Sequence, residues 1–214
     1  MLLFGGTFDP VHFAHLNMAE QCLEHFGGDT LFFMPNRVPA HKQASGIDNA
    51  DKLAMLQLAI AAEPRFAIDE RELHRSGPSY SLLSLQELRS ELDASGREQE
   101  PILFLLGMDS FNGFDSWYQW RDILELCHLV VYQRPDERLD PSPQLQAYLN
   151  QHQCNQGAAL ESKHAGLVYF LAGPQRAVSS TQVRERLQRG EPCEDLIPAA
   201  VSQYIRDKRL YMPG

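Results

Sequence analysis

The sequence predicts an α/β fold, a doubly wound and mostly parallel sheet followed by C-terminal helices. Three observations predict it. Strand-like and helix-like hydrophobic patterns alternate along the chain, which is the signature of a sheet with helices on its faces. The run "ILFLLG" (102–107) is continuously apolar up to its glycine, as a central strand covered on both faces must be. A Gly5-Gly6 pair follows the first apolar run directly and leads into a helical pattern, the junction where open α/β sheets place ligand chemistry.

The elements follow in order. "MLLFG" (1–5) reads as a strand, and 13–26 as a helix with Leu16, Ala19, Cys22, Leu23 and Phe26 at spacings of three and four, stopped by Gly27-Gly28. "TLFFMP" (30–35) is a second strand closed by Pro35, and a loop follows to residue 48. Asp48 or Asn49 then caps a helix over 51–62, ahead of Pro64, and "FAID" (66–69) is a short strand. Residues 79–94 form an amphipathic helix with Leu82, Leu85, Leu88 and Leu92 on one side. "LVVYQ" (129–133) and "LVYFLA" (167–172) complete the strands, and helices near 179–188 and 198–208 close the chain. The polar, Gln-rich stretch 136–165 reads as a surface excursion with one helix, within a single domain spanning 1–214 whose C-terminal helical part is 179–214.

Composition narrows the function classes. The 214 residues carry a net charge of −9, which excludes a nucleic-acid coat and a polybasic membrane binder, both of which need a basic face. Four cysteines without a Cys-x-x-Cys pair read as reduced thiols, and the N-terminal apolar run is far shorter than a signal peptide or a span. The expectation is a soluble, cytoplasmic protein; homo-oligomerisation is left open.

The chemistry is concentrated in "GGTFDPVHFAH" (5–15). Glycines let the backbone approach a bound group, and the start of the next helix is expected to aim N–H groups at an anion. His12 and His15 lie three apart, on one side of the first turn, where imidazole N–H groups can bond phosphate oxygens. The dinucleotide fingerprint G-x-G-x-x-G is absent, and no third ligand at a recognised spacing makes the histidines a metal site. Late in the chain, "VSSTQVRERL" (178–187) offers Ser179, Ser180 and Thr181 as cap and first-turn residues, with Arg184 one turn on.

These two stretches resemble the motifs G-G-x-F-x-P-x-H-x-G-H and I-S-S-T-x-I-R of the nucleotidylyltransferase superfamily, which has a Rossmann-like fold. Ala14 stands where glycine is usual there. Within the superfamily the chain is most similar to the bacterial nicotinate-mononucleotide adenylyltransferase family, through "PNRVPAHK", "ERELHRSGPSYS", "LLGMDSFNGFDSWYQW" and "LVVYQRP" as well. Pro39-Ala40 replaces the usual pair of prolines.

The resemblance implies transfer of AMP from ATP to nicotinate mononucleotide, in NAD biosynthesis, with Mg²⁺ brought on the ATP and no protein-held metal. It implies His12, His15 and Arg184 as catalytic residues. ATP would be held by Gly5, Gly6, Thr7, Phe8, Ser179, Ser180, Thr181 and Arg134. The mononucleotide would meet His41, Lys42, Asp109 at a ribose, Trp117 as a stacking platform, and backbone donors at Tyr80, Ser81, Leu82 and Tyr118. Trp120 is read as a core residue. The alternatives are the same chemistry on nicotinamide mononucleotide or phosphopantetheine, an ATP-sensing module without turnover, and a metal-dependent hydrolase built on the two histidines.

Overall fold

A computed structural model describes residues 1–37, 46–134, 137–174 and 178–212. Seven strands, all in parallel pairs, form one sheet: β1 (Leu2–Gly6), β2 (Leu31–Pro35), β3 (Phe66–Ile68), β4 (Leu103–Gly107), β5 (His128–Gln133), β6 (Gln153–Cys154) and β7 (Val168–Ala172), in the order β3-β2-β1-β4-β5-β7-β6. The chain winds outward from β1 to β3, then returns to start again at β4 beside β1. The strand order therefore reverses between β1 and β4, and the crevice at their carboxyl ends is the expected ligand position.

The helices among the described residues are α1 (Phe13–Phe26), α2 (Asn49–Ile60), α3 (Arg71–His74), α4 (Ser81–Ala94), α5 (Met108–Asn112), α6 (Trp120–Leu126), α7 (Pro143–His152), α8 (Ser180–Gln188) and α9 (Ala199–Lys208). Strand alternation sorts the core into two layers. Leu2 and Phe4 of β1, with Leu103 and Leu105 of β4, face Met18, Cys22 and Leu23 of α1, Met55 and Leu56 of α2, Val183 of α8 and Ile205 of α9. Leu3, Phe104 and Leu106 face the opposite way, onto Leu82, Leu85 and Leu88 of α4, Ile123 of α6 and Leu145 of α7. Both sheet faces are thus covered, and this is why "ILFLLG" carries no polar residue.

Local signals set the helix boundaries. Gly27, at φ 65°, ends α1 and donates its N–H to the Leu23 carbonyl at 2.9 Å, a left-handed position that suits glycine. Asp48 Oδ1 accepts the Ala50 N–H at 3.2 Å to cap α2, and Ser142 Oγ accepts the Leu145 N–H at 3.2 Å with Pro143 in the first turn of α7.

The stretch 136–165 departs from a simple surface excursion. Besides α7 it supplies β6, which pairs with β7, and it buries Leu145, Leu149 and Leu160 almost completely. Its polar composition reflects the outer face of α7, while Leu145 and Leu149 anchor the inner one and Leu160 packs from the turn that follows. No helix of the described residues is long and apolar enough to cross a membrane.

Candidate active site

The carboxyl ends of β1 and β4, with the segments that follow them, carry nine of the residues singled out in the sequence. Gly5, Gly6 and Thr7 are partly exposed there, while Phe8 is 1% exposed. The Phe8 ring packs edge-on against Phe4, Phe33 and His15, at centroid distances of 5.3, 5.5 and 5.0 Å. A methyl on Gly6 would sit 2.8 Å from that ring, and one on Gly5 would sit 2.7 Å from the Phe104 ring. The glycines are therefore required by the aromatic rings packed under the turn, and the open backbone above is a consequence. Phe8 contributes as a buried wedge with φ 46°, a left-handed value uncommon for an aromatic residue and of the kind that clusters at ligand clamps.

His12 is the N-cap of α1. Its Nδ1 accepts the His15 N–H at 3.4 Å, and His15 Nδ1 accepts the His12 N–H at 3.3 Å, so two imidazoles form a reciprocal capping box. The rings stack at 3.6 Å with 14° between their planes. An Nδ1 that accepts leaves the ring proton on Nε2, so the caps fix the tautomer in which Nε2–H is a donor. His12 is 3% exposed, and burial first, then the charge of Arg134, pushes its pKa from 6.5 down to about 3. It is a neutral donor.

The first turn of α1 leaves fewer N–H groups open to an anion than its position in the chain suggests, the Ala14 N–H alone having no acceptor among the described residues. The Phe13 N–H donates to the Leu196 carbonyl at 3.0 Å, and the His15 N–H is taken by His12. The start of α8 is more open. Ser179 Oγ caps it by accepting the Gln182 N–H at 3.2 Å, and the N–H groups of Ser180 and Thr181 meet no acceptor among the described residues. The two distant motifs meet here: Ser180 Oγ donates to the Pro10 carbonyl at 3.1 Å and Arg184 Nη1 to the Asp9 carbonyl at 2.6 Å. Ser180 thus offers its N–H, because its hydroxyl holds the loop. Arg184 Nη2 also reaches Thr181 Oγ1 at 3.1 Å, and Arg184 forms no ion pair among the described residues. Arg134 is already paired with Glu137 at 3.3 Å, so a phosphate there would have to compete with a carboxylate.

Asp109 lies exposed in the first turn of α5, one residue beyond Met108 at the end of β4, with no partner among the described residues. Trp117 is half-buried, its ring 5.1 Å from Phe114 and 6.3 Å from Phe104, so one part is braced and the rest is free. Trp120, read as core, is 6% exposed. Tyr80 and Tyr118 stack at 4.5 Å and bring the start of α4 against the Trp117 loop. Of the backbone donors expected there, the Tyr80 N–H is used by the Pro78 carbonyl at 3.1 Å. Those of Ser81, Leu82 and Tyr118 have no acceptor among the described residues. His41 and Lys42 lie outside the described residues.

The sequence reading overlooked Tyr211, whose hydroxyl donates to Asp9 Oδ1 at 2.5 Å, and the Leu196 carbonyl that closes α1. Neither carries a local signal, since both reach the loop from the tail of the chain. No group of three or more His, Cys, Asp or Glu residues able to hold a metal ion occurs among the described residues.

An open α/β sheet with anion-suited N–H groups, imidazole donors and an arginine at its switch point defines a nucleotide-binding class of protein. Comparison with known proteins narrows this. Residues 3–186 match the cytidylyltransferase-like family. A Serratia proteamaculans protein named probable nicotinate-nucleotide adenylyltransferase is 39% identical over 211 residues, covering 98% of this chain and 94% of that one. A Shigella boydii protein of the same name is 41% identical over 210 residues, covering 98% and 97%. The structure of Plasmodium falciparum nicotinic acid mononucleotide adenylyltransferase complexed with APC shares the fold, with a TM-score of 0.71 at 16% identity over 98% of this chain and 96% of that one. The chain belongs to the cytidylyltransferase-like family, among its nicotinate-nucleotide adenylyltransferases.

Proposed function

We propose that this chain transfers AMP from ATP to nicotinate mononucleotide, giving nicotinate adenine dinucleotide and pyrophosphate, as a step of NAD biosynthesis. The names of the full-length relatives support the reading. One observation carries it from the geometry: the Ser81, Leu82 and Tyr118 N–H groups, without acceptors among the described residues, lie around the Tyr80–Tyr118 stack beside half-buried Trp117. Such a set of donors beside an indole ring fits a flat ring bearing a carboxylate. The proposal treats 1–214 as one catalytic domain, because the motifs that form the site come from opposite ends of the chain.

In the proposed reaction the 5′-phosphate of the mononucleotide attacks the α-phosphorus of ATP in line. The new P–O bond forms as the bond to the β-phosphate oxygen breaks, and pyrophosphate leaves with that electron pair. No protein nucleophile takes part, so the residues position the reactants and meet developing charge. The Nε2–H groups of neutral His12 and of His15, the Ser180 and Thr181 N–H groups and Arg184 would face the triphosphate. Asp109 would accept from a ribose hydroxyl, and Trp117 would stack on the pyridine. Mg²⁺ carried on the ATP phosphates would offset their charge. The four unpaired cysteines, three of them buried, suit a cytoplasmic setting.

The test is pyrophosphate release by purified protein with ATP, Mg²⁺ and a panel of acceptors: nicotinate mononucleotide, nicotinamide mononucleotide and phosphopantetheine. Release chiefly with the first supports the reading. Preference for phosphopantetheine, or ATP binding without release, would overturn it.

A further inference from the structure

The Arg184 guanidinium is held by two neutral oxygens, the Asp9 carbonyl and Thr181 Oγ1. Asp9 also carries a carboxylate, 7% exposed, on the residue whose carbonyl Arg184 already touches. A carboxylate–guanidinium pair between the two side chains would be stronger than either neutral contact. The pair is not formed. Asp9 Oδ1 instead accepts the hydroxyl of Tyr211, 202 positions away, at 2.5 Å.

The tail is shaped to deliver that hydroxyl. Beyond α9 the chain passes through Arg209 at φ 54° and Tyr211 at φ 61°, left-handed conformations that side chains other than glycine adopt at a cost. Tyr211 is 8% exposed and packs into the core that contains Ile205 and Val201. Burial, and then the Asp9 charge beside it, push the phenol well above the usual tyrosine range, so it remains a donor.

We propose that Tyr211 is a positioning residue whose hydroxyl holds the Asp9 carboxylate away from Arg184 and so reserves the guanidinium for the phosphates of ATP. This rests on the reading of Arg184 as a phosphate-binding residue. Without the hydroxyl, the carboxylate turns to Arg184 and occupies the charge that the triphosphate needs.

The experiment compares wild type, Tyr211→Phe, Asp9→Asn and the double variant. Each is measured for affinity towards a non-hydrolysable ATP analogue by calorimetry and for kcat/KM with ATP. Tyr211→Phe removes one oxygen and keeps the ring, so a cooperative thermal melt is expected. It is expected to weaken analogue binding and kcat/KM for ATP by about 10–100-fold, the range of one charge-assisted hydrogen bond. The KM for the mononucleotide is expected to stay unchanged. On the Asp9→Asn background the same change is expected to have little effect, because asparagine cannot neutralise Arg184. Equal losses on both backgrounds, a loss confined to melting temperature, or an unfolded Tyr211→Phe chain would overturn the proposal. Analogue binding needs no acceptor, so a wild type that binds it but does not adenylylate nicotinate mononucleotide would refute the proposed function and leave this test intact.

Discussion

Replacing His12 by asparagine separates its two physical roles. Asparagine remains a good N-cap acceptor, so the start of α1 keeps its side-chain bond, while the titrating imidazole is gone. In the folded chain the His12 pKa lies at about 3 against 6.5 when unfolded. The group is depressed on folding, so the unfolded chain takes up the proton first as pH falls. The stability held at pH above the unfolded value is therefore lost progressively on acidification through the window between the two values. Each unit contributes about 1.4 kcal/mol, so at about pH 5 the wild type should have lost ~2 kcal/mol that the variant has not. Urea denaturation of both chains at about pH 7.5 and about pH 5 reads this directly. The stability difference between them should shift by ~2 kcal/mol in favour of His12→Asn at the lower pH, with contributions of other groups cancelling in the comparison. Parallel behaviour of the two chains would refute the account of a desolvated, neutral His12.

Four further substitutions probe the site. His15→Ala and Arg184→Ala should each lower kcat on the order of 10²–10³-fold, as expected for lost transition-state donors, with the dissociation constant of nicotinate mononucleotide nearly unchanged by titration calorimetry. Trp117→Ala should weaken mononucleotide binding by roughly 1–3 kcal/mol of stacking and leave affinity for an ATP analogue nearly constant. Gly6→Ala would force a methyl to within 2.8 Å of the Phe8 ring. Overpacking of this kind costs about 1–3 kcal/mol, visible as a lower urea midpoint.

The sheet was readable from sequence because its determinants are local. Phe13–Phe26 is bounded by a cap and a glycine, and "ILFLLG" has no polar residue to misplace. The two site motifs were readable for the same reason, each being a turn followed by a helix start. What escaped has no periodicity to show. The two-residue β6 is too short for an alternating pattern, and α3 is a single turn whose Glu72 is buried against Ser84 Oγ at 2.7 Å. Which helix start stays open was also illegible. The Leu196 carbonyl that closes α1, and the Tyr211 hydroxyl that holds Asp9, reach the loop only through the packing of the C-terminal helices.

The central claim is a carboxylate pocket made of backbone donors beside a phosphate site, and the ratio of kcat/KM for nicotinate and nicotinamide mononucleotides tests it most directly. A carboxylate only accepts hydrogen bonds, whereas the amide NH₂ would face the Ser81, Leu82 or Tyr118 N–H and leave donors opposed. Two charge-assisted bonds at about 1.5–3 kcal/mol each, tempered by the partial fit of the amide oxygen, favour the acid by roughly 10²–10⁴-fold. Because backbone atoms carry the preference, Ser81→Ala should leave the ratio nearly intact. The account predicts a ratio in that range for both chains; equal kcat/KM for the two mononucleotides would contradict it.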